Sequence, residues 1–112
     1  MQITRLSDDF AVTPQLQPGD VAAARAEGFR SIMCNRPDGE EPDQPAWAEI
    51  AQAASAAGLD ARQVAIGQGI TVEDRQDAFA AAYTELPKPI LAFCRTGNRS
   101  TLLFQTLEVD DT

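Results

Sequence analysis

The sequence predicts an α/β fold: a single compact domain with a central, mostly parallel sheet flanked by helices. Short apolar segments with strand character alternate along the chain with segments whose apolar residues recur at helical spacing. Strands that alternate with helices are joined by right-handed crossovers and pair in parallel. The 112 residues, of which 44% are hydrophobic, suffice for one domain with a core of about four or five strands.

Five segments have the composition of strands. The first two alternate between apolar and polar residues on either side of the turn at residues 7–9. The last, at residues 90–93, is a continuous apolar run, which is typical of a strand buried in a parallel sheet. The predicted strands are residues 2–6, 10–16, 29–35, 59–66 and 90–93.

Four helices are predicted between and after these strands. Gly28 and Gly58 stand where the C-terminal caps of the first two helices belong. Thr71 is the predicted N-cap of the third helix, and Asp74 follows three residues later as in a capping box. Glu73 and Asp74 are therefore assigned to the first turn of that helix. The predicted helices are residues 21–27, 45–57, 72–86 and 99–107.

The predicted domain occupies residues 1–107, and the acidic residues 108–112 are expected to form a solvated C-terminal tail. No apolar run approaches the roughly 20 residues that a membrane-spanning helix requires. Residues 1–5 do not have the pattern of a signal peptide. We therefore expect a cytoplasmic protein that does not associate with membranes.

The charge and the residue types exclude several functions. The chain has 17 acidic and nine basic residues, a formal charge of −8, which disfavours nucleic acid as a partner. It contains no histidine, so serine–histidine triads, cysteine–histidine proteases and histidine zinc sites are excluded within this chain. Two cysteines, Cys34 and Cys94, are too few for a four-thiolate metal site. We expect free thiols, no metal and no cofactor.

The segment that begins at Cys94 has the features of an anion-binding loop with a thiolate nucleophile. It directly follows the last apolar strand, and a helix begins within five residues, so peptide N–H groups and the helix dipole favour an anion there. Both effects lower the pKa of a thiol. Gly97 permits the tight backbone, Arg99 can bind an oxyanion with two hydrogen bonds, and Ser100 can bind the sulfur or the loop carbonyls. The predicted catalytic residues are Cys94 and Arg99, and the predicted loop residues are Arg95, Thr96, Gly97, Asn98 and Ser100.

A second polar loop follows the strand that contains Cys34. Cys34 itself is predicted to be a core residue, because it lies within an apolar strand. Arg36 either extends the anion site or pairs with Glu40. Asp38 is either a general acid that faces the same site or a turn residue before Gly39.

Three segments together resemble a known family. Residues 35–42, 70–74 and 94–100 are similar to the phosphatase-like domain found beside beta-lactamase-hydrolase-like proteins, and the resemblance covers residues 1–107. It implies a compact fold like that of the dual-specificity phosphatases and two proposed activities, phosphatase and sulfurtransferase. Some relatives are fused to a metal-dependent persulfide dioxygenase, which the resemblance implies as a partner.

The loop spacing favours sulfur transfer. Four residues separate Cys94 from Arg99, as in rhodaneses, whereas the tyrosine phosphatase motif has five. Phe93 replaces the histidine that precedes the phosphatase cysteine, and residues 66–69 offer no carboxylate as a general acid. The first hypothesis is a rhodanese-like sulfurtransferase that forms a persulfide on Cys94 and passes sulfane sulfur to cyanide or a thiol. Arg99 and Arg95 would hold an anionic donor such as thiosulfate or glutathione persulfide.

Two alternatives stay open. A cysteine-dependent phosphatase would form a phosphocysteine at Cys94, with Arg99 on the equatorial oxygens of a phosphate ester and Asp38 as the best candidate acid. A non-catalytic anion-binding module would have the same loop but an unreactive thiol. Alkylation kinetics distinguish the last case, since a catalytic thiolate reacts fast near pH 6.

Overall fold

The computed structural model of the protein describes residues 1–109, which form five strands and four helices. The predicted tail at 108–112 is only partly covered, because residues 110–112 lie outside the described residues; the tail stays a prediction. In chain order the elements are β1 Thr4–Arg5, β2 Phe10–Thr13, α1 Asp20–Ala26, β3 Ser31–Cys34, α2 Trp47–Ala56, β4 Asp60–Gln63, α3 Val72–Glu85, β5 Ile90–Phe93 and α4 Asn98–Val109.

The sheet has the spatial order β1-β2-β5-β3-β4, and β5 lies at its centre. β2, β5, β3 and β4 are parallel, and the short β1 pairs with β2 in the antiparallel direction at the edge. Phe93, the last residue of β5, is in register with Thr13 and Cys34 at the ends of its two neighbours. The predicted fold class is confirmed, and the carboxyl ends of three strands meet at the edge where Cys94 follows.

Helices cover both faces of the sheet. On one face α3 and α4 pack against an aromatic cluster, in which Phe10 stacks on Phe104 at 4.8 Å between ring centres and meets Phe79 edge to face at 5.7 Å. On the other face α1 and α2 pack on a second cluster that includes Ile50 and Leu91, both fully buried. The two cores hold the sheet rigidly beneath the Cys94 edge.

Several strands end earlier than predicted, for local reasons. β2 stops at Thr13 because Pro14 has no N–H to donate to a ladder. The chain after β4 still follows β3: the Val64 N–H donates to the Cys34 carbonyl at 2.8 Å, and the Ile66 N–H donates to the Asn35 carbonyl at 3.1 Å. These bonds keep residues 64–66 beside the polar loop that follows β3.

The start of α3 is a capping box, as predicted. The Thr71 hydroxyl accepts the Asp74 N–H at 3.2 Å, and the Asp74 carboxylate accepts the Thr71 N–H at 2.9 Å. The hydrogen bond from the Thr71 backbone is the main reason that the pKa of Asp74 is lowered. The Asp74 carboxylate is therefore engaged in the cap of α3. Within residues 1–109, none of the helices is both long and apolar enough to cross a membrane.

Candidate active site

Cys94 lies at the end of the central strand, just before the first turn of α4. The Gly97 N–H donates to its sulfur at 3.1 Å. Burial alone raises the pKa of the Cys94 thiol, but hydrogen bonds from the backbone N–H groups of Ser100, Thr96, Arg99 and Gly97 outweigh burial, and the pKa is lower than usual. The loop thus stabilises a thiolate by the mechanism predicted from the sequence.

Gly97 is required by the shape of this loop. Its φ of +94° lies in the region that favours glycine. A Cβ added at Gly97 would lie 3.6 Å from the carbonyl group of Thr13, so the loop packs closely on the end of β2. The N–H and hydroxyl of Thr101 both donate to the Gly97 carbonyl, at 3.1 and 2.9 Å. The Gln15 N–H donates to the Arg95 carbonyl at 3.3 Å. The loop is therefore fixed to α4 on one side and to the chain after β2 on the other.

Arg99 lies between the thiolate and an acidic residue that the sequence analysis did not assign to catalysis. Its Nη1 and Nη2 donate to the two carboxylate oxygens of Glu40 at 2.7 and 2.9 Å, and Nη1 also donates to the Ile66 carbonyl at 2.7 Å. The pKa of Arg99 is raised, chiefly by the hydrogen bond to Glu40 and further by the Cys94 thiolate. This two-point contact fixes the guanidinium plane beside the sulfur.

Glu40 joins two arginines. Besides Arg99, it accepts the Arg36 Nε–H at 2.7 Å. The hydrogen bond from Arg99 is the largest reason that the pKa of Glu40 falls to about 2, from an ordinary value of 4.5, and Arg36 adds to the effect. The spacing of Arg36 and Glu40 within a polar loop was a sequence signal for this pair. The contact with Arg99, 59 residues away, had no such signal.

Arg36 is a buried connector. Its side chain is only 3% exposed, and each side of the guanidinium has a partner: Glu40, the Glu41 carboxylate at 2.6 Å and the Gln15 amide oxygen at 2.9 Å. Of the two roles predicted for Arg36, pairing with Glu40 is the one that the structure shows. Its hydrogen bond to Gln15 holds the polar loop against the residues that follow β2.

Asp38 occupies a structural position. Its carboxylate accepts the Trp47 N–H at 2.8 Å and so satisfies a donor at the start of α2. Its backbone carbonyl accepts the Gln68 side-chain amide at 3.4 Å. The second loop thus approaches the site through Arg36 and Glu40, whereas the Asp38 carboxylate is engaged elsewhere. The acid role of Asp38 stays a prediction that this arrangement does not support.

An open cavity of about 540 Å³ lies beside the Cys94 loop. Arg95, on its rim, is 65% exposed, and its Nε lies 3.2 Å from the Glu41 carboxylate. The lining residues are Arg36, Gly39, Glu40, Glu41, Gln68, Arg95 and Arg99. Three arginines therefore line the cavity. Arg36 and Arg99 each make short ion pairs with the polar loop, at 2.6 to 2.7 Å, whereas Arg95 makes one longer contact at 3.2 Å.

The turn at residues 67–69 closes the far side of the cavity. Gln68 has a φ of +55°, the one positive value for a residue other than glycine in residues 1–109. Gly67 packs against the Arg99–Glu40 pair, since an added Cβ would lie 2.8 Å from both Arg99 Nη1 and Glu40 Oε2. The turn brings a neutral amide to the cavity and leaves no room for a side chain at Gly67.

The hydroxyls and the second cysteine have minor roles in this geometry. The Ser100 hydroxyl is buried and has no hydrogen-bond partner among residues 1–109, so neither bond predicted for Ser100, to the sulfur or to the loop carbonyls, is made by its side chain; its backbone N–H instead lowers the pKa of Cys94. The Thr96 hydroxyl accepts the Asn98 N–H at 3.3 Å. The Cys34 thiol donates to the Arg36 carbonyl at 3.1 Å, and burial raises its pKa to about 11. Cys34 is thus the buried core thiol that the sequence predicted.

Known proteins resemble the whole of this domain. Beta-lactamase hydrolase-like proteins from Agrobacterium fabrum and Xylella fastidiosa are 33% and 36% identical to the chain over 93% and 99% of its length. The chain spans 24% and 26% of those two relatives. A crystal structure of a candidate phosphatase from Neisseria meningitidis matches with a TM-score of 0.82 and 34% identity, covering 93% of this chain and 74% of that one.

These findings contradict the sulfurtransferase prediction and favour the phosphatase alternative. The prediction rested on a loop one residue shorter than the tyrosine phosphatase motif, on Phe93 in place of a histidine, and on the lack of a carboxylate at residues 66–69. In the structure the backbone N–H groups of that shorter loop still lower the pKa of the Cys94 thiol, and the Gly97 N–H lies 3.1 Å from the sulfur, so loop length does not remove an anion site. A persulfide dioxygenase partner has no support either. The family model of the beta-lactamase hydrolase-like protein, phosphatase-like domain, matches residues 2–108, and the chain belongs to this family.

Proposed function

We propose that the protein is a cysteine-dependent phosphatase that acts on a small phosphate-containing substrate through a phosphocysteine at Cys94. The observation that carries the proposal is the Cys94 sulfur in a loop between strand and helix, with the Gly97 N–H 3.1 Å from it, backbone N–H groups that lower its pKa, and Arg99 beside it. Such a site both lowers the pKa of the nucleophile and binds the oxygens of a transferring phosphoryl group. The match to a candidate phosphatase at 34% identity supports this assignment.

In the first step, the Cys94 thiolate attacks phosphorus and forms an S–P bond while the bond to the leaving oxygen breaks. The loop N–H groups and Arg99 stabilise the charge on the equatorial oxygens. In the second step, a water oxygen attacks phosphorus, the S–P bond breaks, and the thiolate is restored as a leaving group that the same N–H groups stabilise. Phosphate and one proton are released.

The residues divide into three roles under this proposal. Cys94 and Arg99 carry the chemistry. The backbone of residues 95–100 forms the anion cradle, and the Arg95 side chain extends it towards the cavity. Glu40 is a positioning residue, because it reaches the reacting atoms only through Arg99. The acidic chain and this small cradle favour small anions over polyanionic nucleic acids.

Steady-state hydrolysis of phenyl phosphate tests the proposal. We expect Cys94→Ser to abolish turnover and Arg99→Lys to lower kcat at least about 100-fold, since a lysine cannot make two parallel hydrogen bonds. Cys34→Ser is the matched control, because it changes the other thiol at a site outside the loop; turnover should stay within about threefold of the wild type. Hydrolysis of phenyl phosphate by Cys94→Ser at the rate of the active wild type would exclude a phosphocysteine mechanism.

A further inference from the structure

The carboxylates nearest the cavity are all engaged. Glu40 binds Arg99 and Arg36, and Glu41 lies 2.6 Å from Arg36 and 3.2 Å from Arg95. Both residues line the cavity, and hydrogen bonds from Arg99 and Arg36 lower the pKa of Glu40 to about 2. Glu40 therefore has no proton to give to a departing oxygen at neutral pH, and Glu41 Oε1 is directed to Arg36 and Arg95.

The other side chain that approaches from the far side of the cavity is Gln68. Its amide donates to the Asp38 carbonyl at 3.4 Å and has no proton to transfer at neutral pH. Asp38 is bound to the start of α2, and Asp74 belongs to the capping box of α3. Among residues 1–109, each carboxylate of the cavity lining is therefore paired with arginine, and none is left unpaired to serve as an acid for the leaving group.

A site built in this way selects its substrate by the leaving group. An alkoxide is too basic to depart without a proton. Without a general acid, the hydrolysis of an alkyl phosphate is therefore slower by about 10²- to 10⁴-fold. A phosphate oxyanion departs without protonation. Arg95, exposed on the rim next to Cys94 and held only by a 3.2 Å contact to Glu41, is placed to bind a second phosphate as it leaves.

We propose that the substrates of this phosphatase are phosphoanhydrides, with the terminal phosphoryl group in the Cys94 loop and the adjoining phosphate against Arg95. The inference rests on the proposed function and names its substrate class. Cys94 sulfur bonds to the terminal phosphorus, the bond from that phosphorus to the bridging oxygen breaks, and the electron pair stays on that oxygen as part of the departing phosphate. Water then hydrolyses the S–P bond as in the general scheme, and no redox partner or added acid is needed.

Three probes with different leaving groups test this. Phenyl diphosphate releases phenyl phosphate, phenyl phosphate releases a phenoxide whose conjugate acid has a pKa of about 10, and n-butyl phosphate releases an alkoxide. We expect kcat/KM for phenyl diphosphate to exceed that for n-butyl phosphate at least about 100-fold. Arg95→Gln should lower the preference for phenyl diphosphate over phenyl phosphate about tenfold, the value of one charge-assisted hydrogen bond.

Arg62→Gln is the matched control, because Arg62 pairs with Glu85 on the surface, outside the cavity lining, and its loss should leave that preference unchanged. Cys94-dependent hydrolysis of n-butyl phosphate within tenfold of phenyl diphosphate would overturn the substrate class and leave the phosphatase assignment intact. An equal effect of Arg95→Gln on both phenyl substrates would overturn the second phosphate position. No Cys94-dependent hydrolysis of any of the three would overturn the phosphatase assignment and the substrate class together.

Discussion

Replacing Glu40 with glutamine removes the charge that joins the two arginines of the site. The carboxylate accepts three hydrogen bonds at 2.7 to 2.9 Å, one from Arg36 and two from Arg99. A glutamine keeps a single acceptor oxygen. In the place of Oε1 it still accepts from Arg36 and from Arg99 Nη2, but the bond from Arg99 Nη1 is lost, the negative charge that both arginines face is removed, and the new amide hydrogens face a guanidinium. Because each hydrogen bond to a charged group contributes about 1.5–3 kcal/mol, we expect Glu40→Gln to destabilise the fold by about 2–4 kcal/mol.

For a domain of this size that loss corresponds to a fall in Tm of roughly 8–16 °C. Thermal unfolding followed by circular dichroism at pH 7 measures it, and Glu85→Gln, which removes a carboxylate from an exposed pair with Arg62, should change Tm by less than about 3 °C. We also expect kcat to fall at least about tenfold, with a smaller change in KM, since Arg99 loses its orientation.

The pH dependence gives a second measure of the same contact. The pKa of Glu40 is depressed in the folded protein, from 4.5 to about 2, so the stability it contributes is fully present above pH 4.5 and is lost as the pH falls towards 2. The difference in Tm between the wild type and Glu40→Gln should therefore shrink as the pH falls from 4.5 towards 2. Equal Tm values for the two proteins at pH 7, or a constant difference between pH 5 and pH 2.5, would refute this reasoning.

Three further predictions concern other parts of the molecule. Gly67→Ala places a methyl group 2.8 Å from Arg99 Nη1 at a φ of +126°, so kcat should fall at least about tenfold in phenyl phosphate hydrolysis; unchanged kcat would mean that the turn yields easily. Iodoacetamide should alkylate Cys94 faster than Cys34 at pH 7, because the loop lowers the pKa of the first thiol and burial raises that of the second to about 11; peptide mapping decides, and faster labelling of Cys34 would contradict the assignment. Phe104→Ala removes half of a stacked aromatic pair in the core and should cost about 3 kcal/mol in urea unfolding; a loss below about 1 kcal/mol would show that the stack contributes little.

Much of the fold followed from local signals. The continuous apolar run at residues 90–93 coincides with the central strand, and Thr71 and Asp74 form the capping box that their spacing predicted. The Cys94 loop was likewise predictable, because a strand, a glycine and a helix start are all encoded within a few residues. Periodicity and capping act over short distances, which is why they can be recognised in one sequence.

The features that were missed depend on contacts between distant segments. Glu40 reaches Arg99 across 59 residues of chain, and nothing in its own segment marks it as a partner of the active-site arginine. Gln68 faces the cavity because residues 64–66 follow β3 beyond the end of β4. The choice between sulfur transfer and phosphate transfer rested on the count of residues from Cys94 to Arg99, on Phe93 and on the lack of a carboxylate at residues 66–69. The count sets the size of the loop, but it does not determine whether the loop N–H groups stabilise a thiolate.

Trapping the covalent intermediate tests the central claim most directly. Wild-type protein mixed with excess phenyl diphosphate and quenched within milliseconds is analysed by intact mass and by peptide mapping under conditions that preserve S–P bonds. We expect a gain of about 80 Da located on Cys94, formed before steady state and absent from Cys94→Ser. Turnover of the substrate without any adduct on Cys94, or an adduct on another residue in both proteins, would contradict it.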